Sequence, residues 1–97
     1  MSYRITCYCS ACNSPKGSTK TASGETATEG VTVAVHRTKY SKNKRIYIDE
    51  IGWRKIQDKH GNDPDVIDVY VGDCPVCRCS SHPFSGKRCN VSGMWNN

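Results

Sequence analysis

The cysteines of this 97-residue chain are confined to its two ends, and their distribution is its most constraining feature. Of the seven, Cys7, Cys9 and Cys12 lie near the N-terminus, and none occurs between Cys12 and Cys74. This pattern predicts a clasp that joins the N- and C-terminal segments of one small domain. Only 36% of the residues are hydrophobic, so the thin core of a domain this size needs such support.

Two chemistries are compatible with the clasp. Disulfides would leave one thiol of the seven over. A structural Zn²⁺ would suit the two Cys-x-x-Cys pairs, because tetrahedral thiolate sites favour such short spacings. The pairs are too far apart for a self-contained zinc ribbon, so either chemistry would bridge the two ends of the domain. The cysteines concerned are Cys7, Cys9, Cys12, Cys74, Cys77 and Cys79.

The hydrophobic pattern predicts an all-β chain with short strands and turn-rich joints. Strand character covers residues 3–8, 31–36, 45–48, 53–57 and 66–71. The last of these is the strongest, because apolar and polar residues alternate along it. There, Asp68 and Tyr70 are expected to face away from Ile67, Val69 and Val71.

Turn-forming segments connect these strands. The Ser-, Thr- and Gly-rich stretch 13–30 indicates a long loop, and Asp49–Gly52 indicates the turn of a hairpin. A second turn is predicted around Pro64. The tail after Cys79 is rich in Ser, Gly and Asn and is expected to be irregular.

The chain carries a net charge of +5, and eight of its fourteen Lys and Arg lie between Arg37 and Lys59. This excess favours a polyanionic partner, either nucleic acid or a cell wall rich in carboxylate and phosphate. A solvated loop surface is the alternative for the run around Lys44. No membrane span and no signal peptide are expected, since no apolar stretch is long enough and residues 1–6 are polar.

Five segments, in order, resemble the landmarks of the three-aspartate domain found in bacterial muralytic proteins, including stationary-phase survival proteins and membrane-bound lytic transglycosylase A. They are CYCSAC, TASGETATEG, VTVAVHRTKYSKNKRIYI, QD and VIDVYVG, and they cover roughly Thr6 to Gly72. The resemblance implies a small six-stranded double-psi β-barrel. It would span about residues 3–72 of a single domain, 1–97, with a Cys-rich extension over 73–97.

The resemblance also implies a site. The second and third aspartates of the family correspond to Asp58 and Asp68, while the first is replaced by His36. The loop between the second and third is about one residue shorter than in the family. These departures affect the expected substrate cleft and leave the expected barrel core unchanged.

The implied activity is that of a lytic transglycosylase, which cleaves the MurNAc–GlcNAc bond of peptidoglycan without adding water. Asp68 would be the acid and base, with a pKa raised by burial and by the like charge of Asp58. The residues expected to contact substrate are His36, Tyr70, Lys59 and His60. The expected location is extracellular, at the cell wall, or on a phage virion.

Two other functions compete with this one. A non-catalytic virion or cell-surface protein, which keeps the barrel for packing or wall binding, is favoured by His36 at the first aspartate position. Its partners would be peptidoglycan strands and other virion or surface proteins. Nucleic-acid binding is weaker, because only Tyr40 and Tyr47 interleave with the basic residues and no reader motif is present.

Overall fold

The structure is a computed structural model that describes residues 2–10, 20–72 and 79–95. Its strands are β1 (Ser2–Tyr8), β2 (Thr32–His36), β3 (Arg45–Ile48), β4 (Gly52–His60), β5 (Val66–Tyr70) and β6 (Arg88–Trp95). They form a closed barrel in the order β1-β5-β2-β4-β3-β6. The prediction of an all-β, six-stranded barrel is confirmed. No helix in the described ranges is long and apolar enough to cross a membrane.

Parallel and antiparallel pairs are mixed around the barrel. β1 pairs with β5 and β2 pairs with β4 in parallel, whereas the other four neighbouring pairs are antiparallel. Closure gives every strand two neighbours, so no strand presents an open edge. The predicted hairpin is present as β3 and β4, and its turn places Glu50 and Gly52 at positive φ of 71° and 111°.

The core lies inside the barrel and is built from alternate residues of the strands. On β5, Ile67 and Val69 point inward and are 1% exposed, as the alternating pattern predicted. Strand β2 begins one residue later than expected, and Val31 is 37% exposed instead of joining Val33 in the core. The members of the core cluster are Ile5, Val33, Val35, Ile46, Ile48, Ile56, Ile67, Val69 and Cys89.

The prediction of an irregular tail after Cys79 is wrong. Residues Arg88–Trp95 form β6, which pairs with both β1 and β3 and completes the barrel. The barrel therefore extends well beyond residue 72. Composition concealed this strand because its interior contribution rests largely on Cys89, which is 2% exposed, and on partly buried Val91. Backbone pairing on both sides stabilises an otherwise polar segment.

Strand β4 is longer than predicted and contains a β-bulge opposite β2. Val33 pairs with Ile56, but the next residue, Ala34, pairs with Asp58, so Gln57 is an extra residue. The Thr32 hydroxyl donates to Gln57 Oε1 at 2.6 Å and holds the bulge. The extra residue reverses the alternation of β4. Asp58 therefore shares the outward face with Ala34 instead of following Ile56 into the core.

Candidate active site

Both predicted aspartates lie in one row across four strands on the outer face of the barrel. Asp68 of β5 pairs with Thr6 of β1 on one side and with Ala34 of β2 on the other. Ala34 pairs in turn with Asp58 of β4. Residues paired across a sheet point to the same face, so the two carboxylates flank the small side chain of Ala34. The strand order thus brings together the two aspartates that the sequence indicated.

A second apolar cluster, on this outer face, forms one wall of the site. It consists of Tyr8, Ala27, Ala34 and Tyr70, all buried. The rings of Tyr8 and Tyr70 meet edge to face with their centroids 5.2 Å apart. Tyr70, one of the residues expected to contact substrate, has a side chain that is 3% exposed and packs in this wall. Ala27 belongs to the loop 20–31, which therefore covers part of the row.

The carboxyl group of Asp68 is in a setting that favours its protonated form. Burial raises the pKa of Asp68 to about 6, and the negative charge of Asp58 adds to the rise. The Thr6 hydroxyl lowers the Asp68 pKa by donating a hydrogen bond to Asp68 Oδ1 at 2.9 Å. A positive charge on His60 would lower that pKa as well. Burial dominates, so Asp68 exchanges its proton within the mildly acidic range.

Asp58 is held by the backbone on both sides. Its Oδ1 accepts hydrogen bonds from the backbone N–H of Lys59 at 2.9 Å and of Ala22 at 3.1 Å. The Ala22 contact, together with a backbone bond from Ser23 to Gln57, fastens the loop 20–31 onto β4. Asp58 is thus fixed in orientation as well as in position. The Lys59 ammonium lies over the Tyr40 ring, 5.5 Å from its centroid.

Tyr8 is a site residue that the sequence reasoning missed. Burial, followed by the charges of Asp58 and Asp68, raises the pKa of Tyr8 far above its usual range, so the phenol stays protonated. The Tyr8 hydroxyl is buried and lies close enough to Asp58 for that carboxylate to raise the Tyr8 pKa. It makes no hydrogen bond of ordinary geometry with any residue that the structure describes. The sequence carried no local signal for it, because its place in the site depends on the register of β1 with β5, in which Tyr8 pairs with Tyr70.

The ring nitrogens of the two histidines are used mainly in hydrogen bonds to the neighbouring turns. His60 Nε2 donates to the Val66 carbonyl at 2.8 Å, while its Nδ1 accepts from the Asn62 N–H at 3.1 Å. A backbone N–H can only donate and a carbonyl can only accept, so this arrangement specifies the neutral ring. His36 Nδ1 accepts from Thr38, and the two imidazoles lie edge to face at 5.9 Å. Of the two histidines, only His36 has a ring nitrogen, Nε2, that makes no hydrogen bond among the described residues.

The predicted clasp lies partly outside the described residues, as do Cys12, Cys74 and Cys77. Within them, Cys9 and Cys79 are buried and near each other, and the 3-10 turn Cys79–Ser81 packs on β1. Burial, followed by the charge of Asp68, raises the pKa of the Cys7 thiol to about 11. No group of three or more His, Cys, Asp or Glu forms a metal site in the described ranges. Zinc and disulfides both stay predictions.

The described site combines a half-buried acid that titrates near pH 6, a second fixed carboxylate and a protonated phenol. A protonated carboxylic acid can transfer its proton to a leaving oxygen, and a neighbouring carboxylate can stabilise the positive charge that develops. This is acid–base chemistry on a polar, uncharged bond such as an acetal. No protein-family profile, curated protein or solved structure matches this chain.

Proposed function

We propose that the protein is a lytic transglycosylase-like module that cleaves the MurNAc–GlcNAc bond of peptidoglycan, with Asp68 as the acid and base. One observation carries the proposal: Asp68 is a half-buried carboxyl group with a pKa of about 6, in one row with Asp58. The proposal includes the double-psi form of the barrel. It also includes an extracellular, wall-associated or virion-borne location.

In the reaction, protonated Asp68 donates its proton to the glycosidic oxygen, and the bond from that oxygen to the anomeric carbon breaks. Positive charge develops at the anomeric carbon, close to the negative charge of Asp58. The Asp68 carboxylate then removes the proton of the C6 hydroxyl of the same sugar. The C6 oxygen bonds to the anomeric carbon, which gives a 1,6-anhydro ring and returns Asp68 to its acid form.

Hydrolysis is the competing outcome for the same residues. Asp58 and Asp68 are separated by one intervening strand, which places their backbones about 10 Å apart. Inverting glycosidases hold their two carboxyl groups about 6.5–9.5 Å apart to leave room for a water molecule. Product analysis separates the two reactions, because hydrolysis produces a reducing sugar and transglycosylation produces a 1,6-anhydro sugar.

The test is digestion of purified sacculi, with the soluble muropeptides analysed by mass spectrometry. We expect 1,6-anhydro products from the parent protein and none from Asp68→Asn. Asp65→Asn is the matched control, because Asp65 is an exposed aspartate on the turn before β5 and should retain full activity. Cleavage should fall as the pH rises above about 6, where Asp68 loses its proton.

Sacculi that bind the protein but release no fragment at any pH would contradict catalysis. That result would support the non-catalytic wall-binding function instead. Reducing-end products from the parent, absent with Asp68→Asn, would keep the acid role of Asp68 but replace transglycosylation by hydrolysis.

A further inference from the structure

A groove of about 290 Å³ opens beside the β3–β4 hairpin, and no residue of the aspartate row lines it. Its lining residues are Gly30, Val31, Arg45, Trp53, Arg54 and Lys55. Three of the six carry positive charge and none carries negative charge. The groove therefore combines an aromatic ring with a concentrated cationic surface, and the site described above uses neither.

The aromatic ring of the groove is exposed and held in place. Trp53 is 49% exposed, although an indole is among the side chains that gain most from burial. Its ring packs edge to face against Tyr47, with the centroids 5.4 Å apart. A Cβ added at Gly93 would lie 3.4 Å from Trp53 Cη2, so the absence of a side chain there makes room for the ring. An exposed but immobilised indole loses little entropy when a ligand stacks on it.

The cations of the groove are placed where they repel one another. Arg45 and Lys55 pair directly across the antiparallel β3 and β4, and like charges in that position are destabilising. Arg54 donates to the Trp53 carbonyl at 2.8 Å, but its Nε is buried without a hydrogen-bond partner among the described residues. The ion pair observed in the described ranges, Lys87 with Glu50, involves none of these three cations. A bound anion would offset the repulsion between Arg45 and Lys55.

We propose that this groove binds an acidic glycan, with a sugar ring on Trp53 and a carboxylate on Arg45, Arg54 and Lys55. The inference takes its ligand class from the proposed function but uses none of its residues. Single-stranded nucleic acid fits less well, because its binding grooves stack successive bases on successive rings. Here one ring is available, since Tyr47 meets Trp53 edge-on.

The groove and the aspartate row share strand β4 and one loop. Lys55 precedes Asp58 by three residues, which is about 10 Å along a strand. The loop 20–31 contacts both, because Ala22 holds Asp58 while Gly30 and Val31 line the groove. A glycan bound on Trp53 would therefore extend toward the carboxylates. The groove would anchor the chain that Asp68 cleaves.

The experiment measures binding by isothermal titration calorimetry in an Asp68→Asn background, which prevents cleavage. The probes are peptide-free glycan strands from sacculi, which carry lactyl carboxylates, uncharged chitohexaose and a dodecathymidylate oligonucleotide. We expect the acidic glycan to bind best. Trp53→Ala should weaken it at least tenfold, and Arg45→Gln with Lys55→Gln should reduce its affinity to that of chitohexaose. Met94→Ala and Lys42→Gln, exposed residues outside the groove, serve as matched controls.

Equal glycan binding by the Asp68→Asn protein alone, with Trp53→Ala added and with the double charge substitution added would overturn the inference. Tighter binding of the oligonucleotide than of the glycan would also overturn it. Far-UV circular dichroism and thermal melting of each variant verify folding, and Trp53→Phe, which keeps a ring, should retain most of the affinity. Failure of this site is distinguishable from failure of the proposed function, because cleavage depends on Asp68 and binding here depends on Trp53.

Discussion

The two faces of strand β5 have different environments. Inward-facing Ile67 and Val69 are almost fully buried among other aliphatic side chains. Outward-facing Asp68 is only half-buried, on the same face of the barrel as Tyr8 and Tyr70. Because side chains alternate along a strand, the core and the candidate site draw on neighbouring residues of one short segment. Substitutions on the two faces should therefore differ in sign as well as in size.

The largest change in the free energy of unfolding is expected from a substitution on the inward face of β5. Ile67→Ala removes a side chain that is 1% exposed and leaves a cavity in the core. Such truncations reduce the free energy of unfolding by about 2–5 kcal/mol. Urea denaturation measures the loss. Val31→Ala is the control, since Val31 is 37% exposed and its truncation should change stability by less than about 0.5 kcal/mol. Equal losses in the two variants would contradict the assignment of the core to the barrel interior.

On the outward face, Asp68→Asn should stabilise the protein at neutral pH. The folded-state pKa of about 6 exceeds the ordinary value of 3.8, so the folded protein holds this proton more tightly. The stability from this linkage is therefore fully present below pH 3.8 and is lost as the pH rises through 6. A shift of this size corresponds to at most about 3 kcal/mol. Asparagine does not titrate, so the stability of the variant does not fall as the pH rises through 6.

Urea denaturation of both proteins from pH 3 to pH 8 measures this effect. The stability difference between Asp68→Asn and the parent should grow in favour of the variant between pH 4 and pH 6 and then level off. A difference that is constant over that range would mean that the carboxyl group is not desolvated in the folded state. The variant should be inactive from pH 3 to pH 8. The same substitution would then remove activity and increase stability.

Much of this division could be read from the sequence. The alternation through Ile67, Asp68, Val69 and Tyr70 is regular, and hydrophobic period alone assigns the two faces of a strand. The all-β class followed from the same pattern. The turn at Asp49–Gly52 was equally visible, because Gly52 adopts a positive φ that other residues avoid.

Three features could not be read in this way. The extra residue Gln57 that turns Asp58 outward depends on pairing with β2, and no glycine marks this bulge in the sequence. The role of β6 depends on barrel closure, because backbone pairing with β1 and β3 stabilises this segment although it has few apolar residues. The contribution of Tyr8 depends on the parallel register of β1 and β5, between which β2, β3 and β4 intervene in the sequence. All three arise from contacts between distant segments.

A smaller effect is expected at the hydrogen bond that restrains the Asp68 pKa. Thr6→Val removes the hydroxyl that donates to Asp68 Oδ1 but keeps the shape of the side chain. The charged carboxylate loses a donor, so the pKa of Asp68 should rise further and stability at pH 7 should fall by about 1 kcal/mol. The Asp68 carboxyl carbon, followed by NMR during a pH titration, reports the change. Thr6→Ser keeps the hydroxyl, so Asp68 should titrate in it as in the parent. Identical Asp68 titration curves for Thr6→Val and Thr6→Ser would show that the hydroxyl does not lower the Asp68 pKa.

The smallest change in stability is expected from Tyr8→Phe. The substitution removes a buried hydroxyl that has no hydrogen-bond partner among the described residues, so the free energy of unfolding should change by less than about 1 kcal/mol. The same hydroxyl is a protonated donor close to both carboxylates, and we expect its loss to lower kcat about tenfold, because the charge of Asp58 beside Asp68 would then be less well stabilised. Thermal melting and the initial rate of muropeptide release provide the two measurements. An unchanged rate would limit Tyr8 to packing against Tyr70. A much larger loss of stability would mean that the hydroxyl has a structural partner, and the site would then consist of the two aspartates without the phenol.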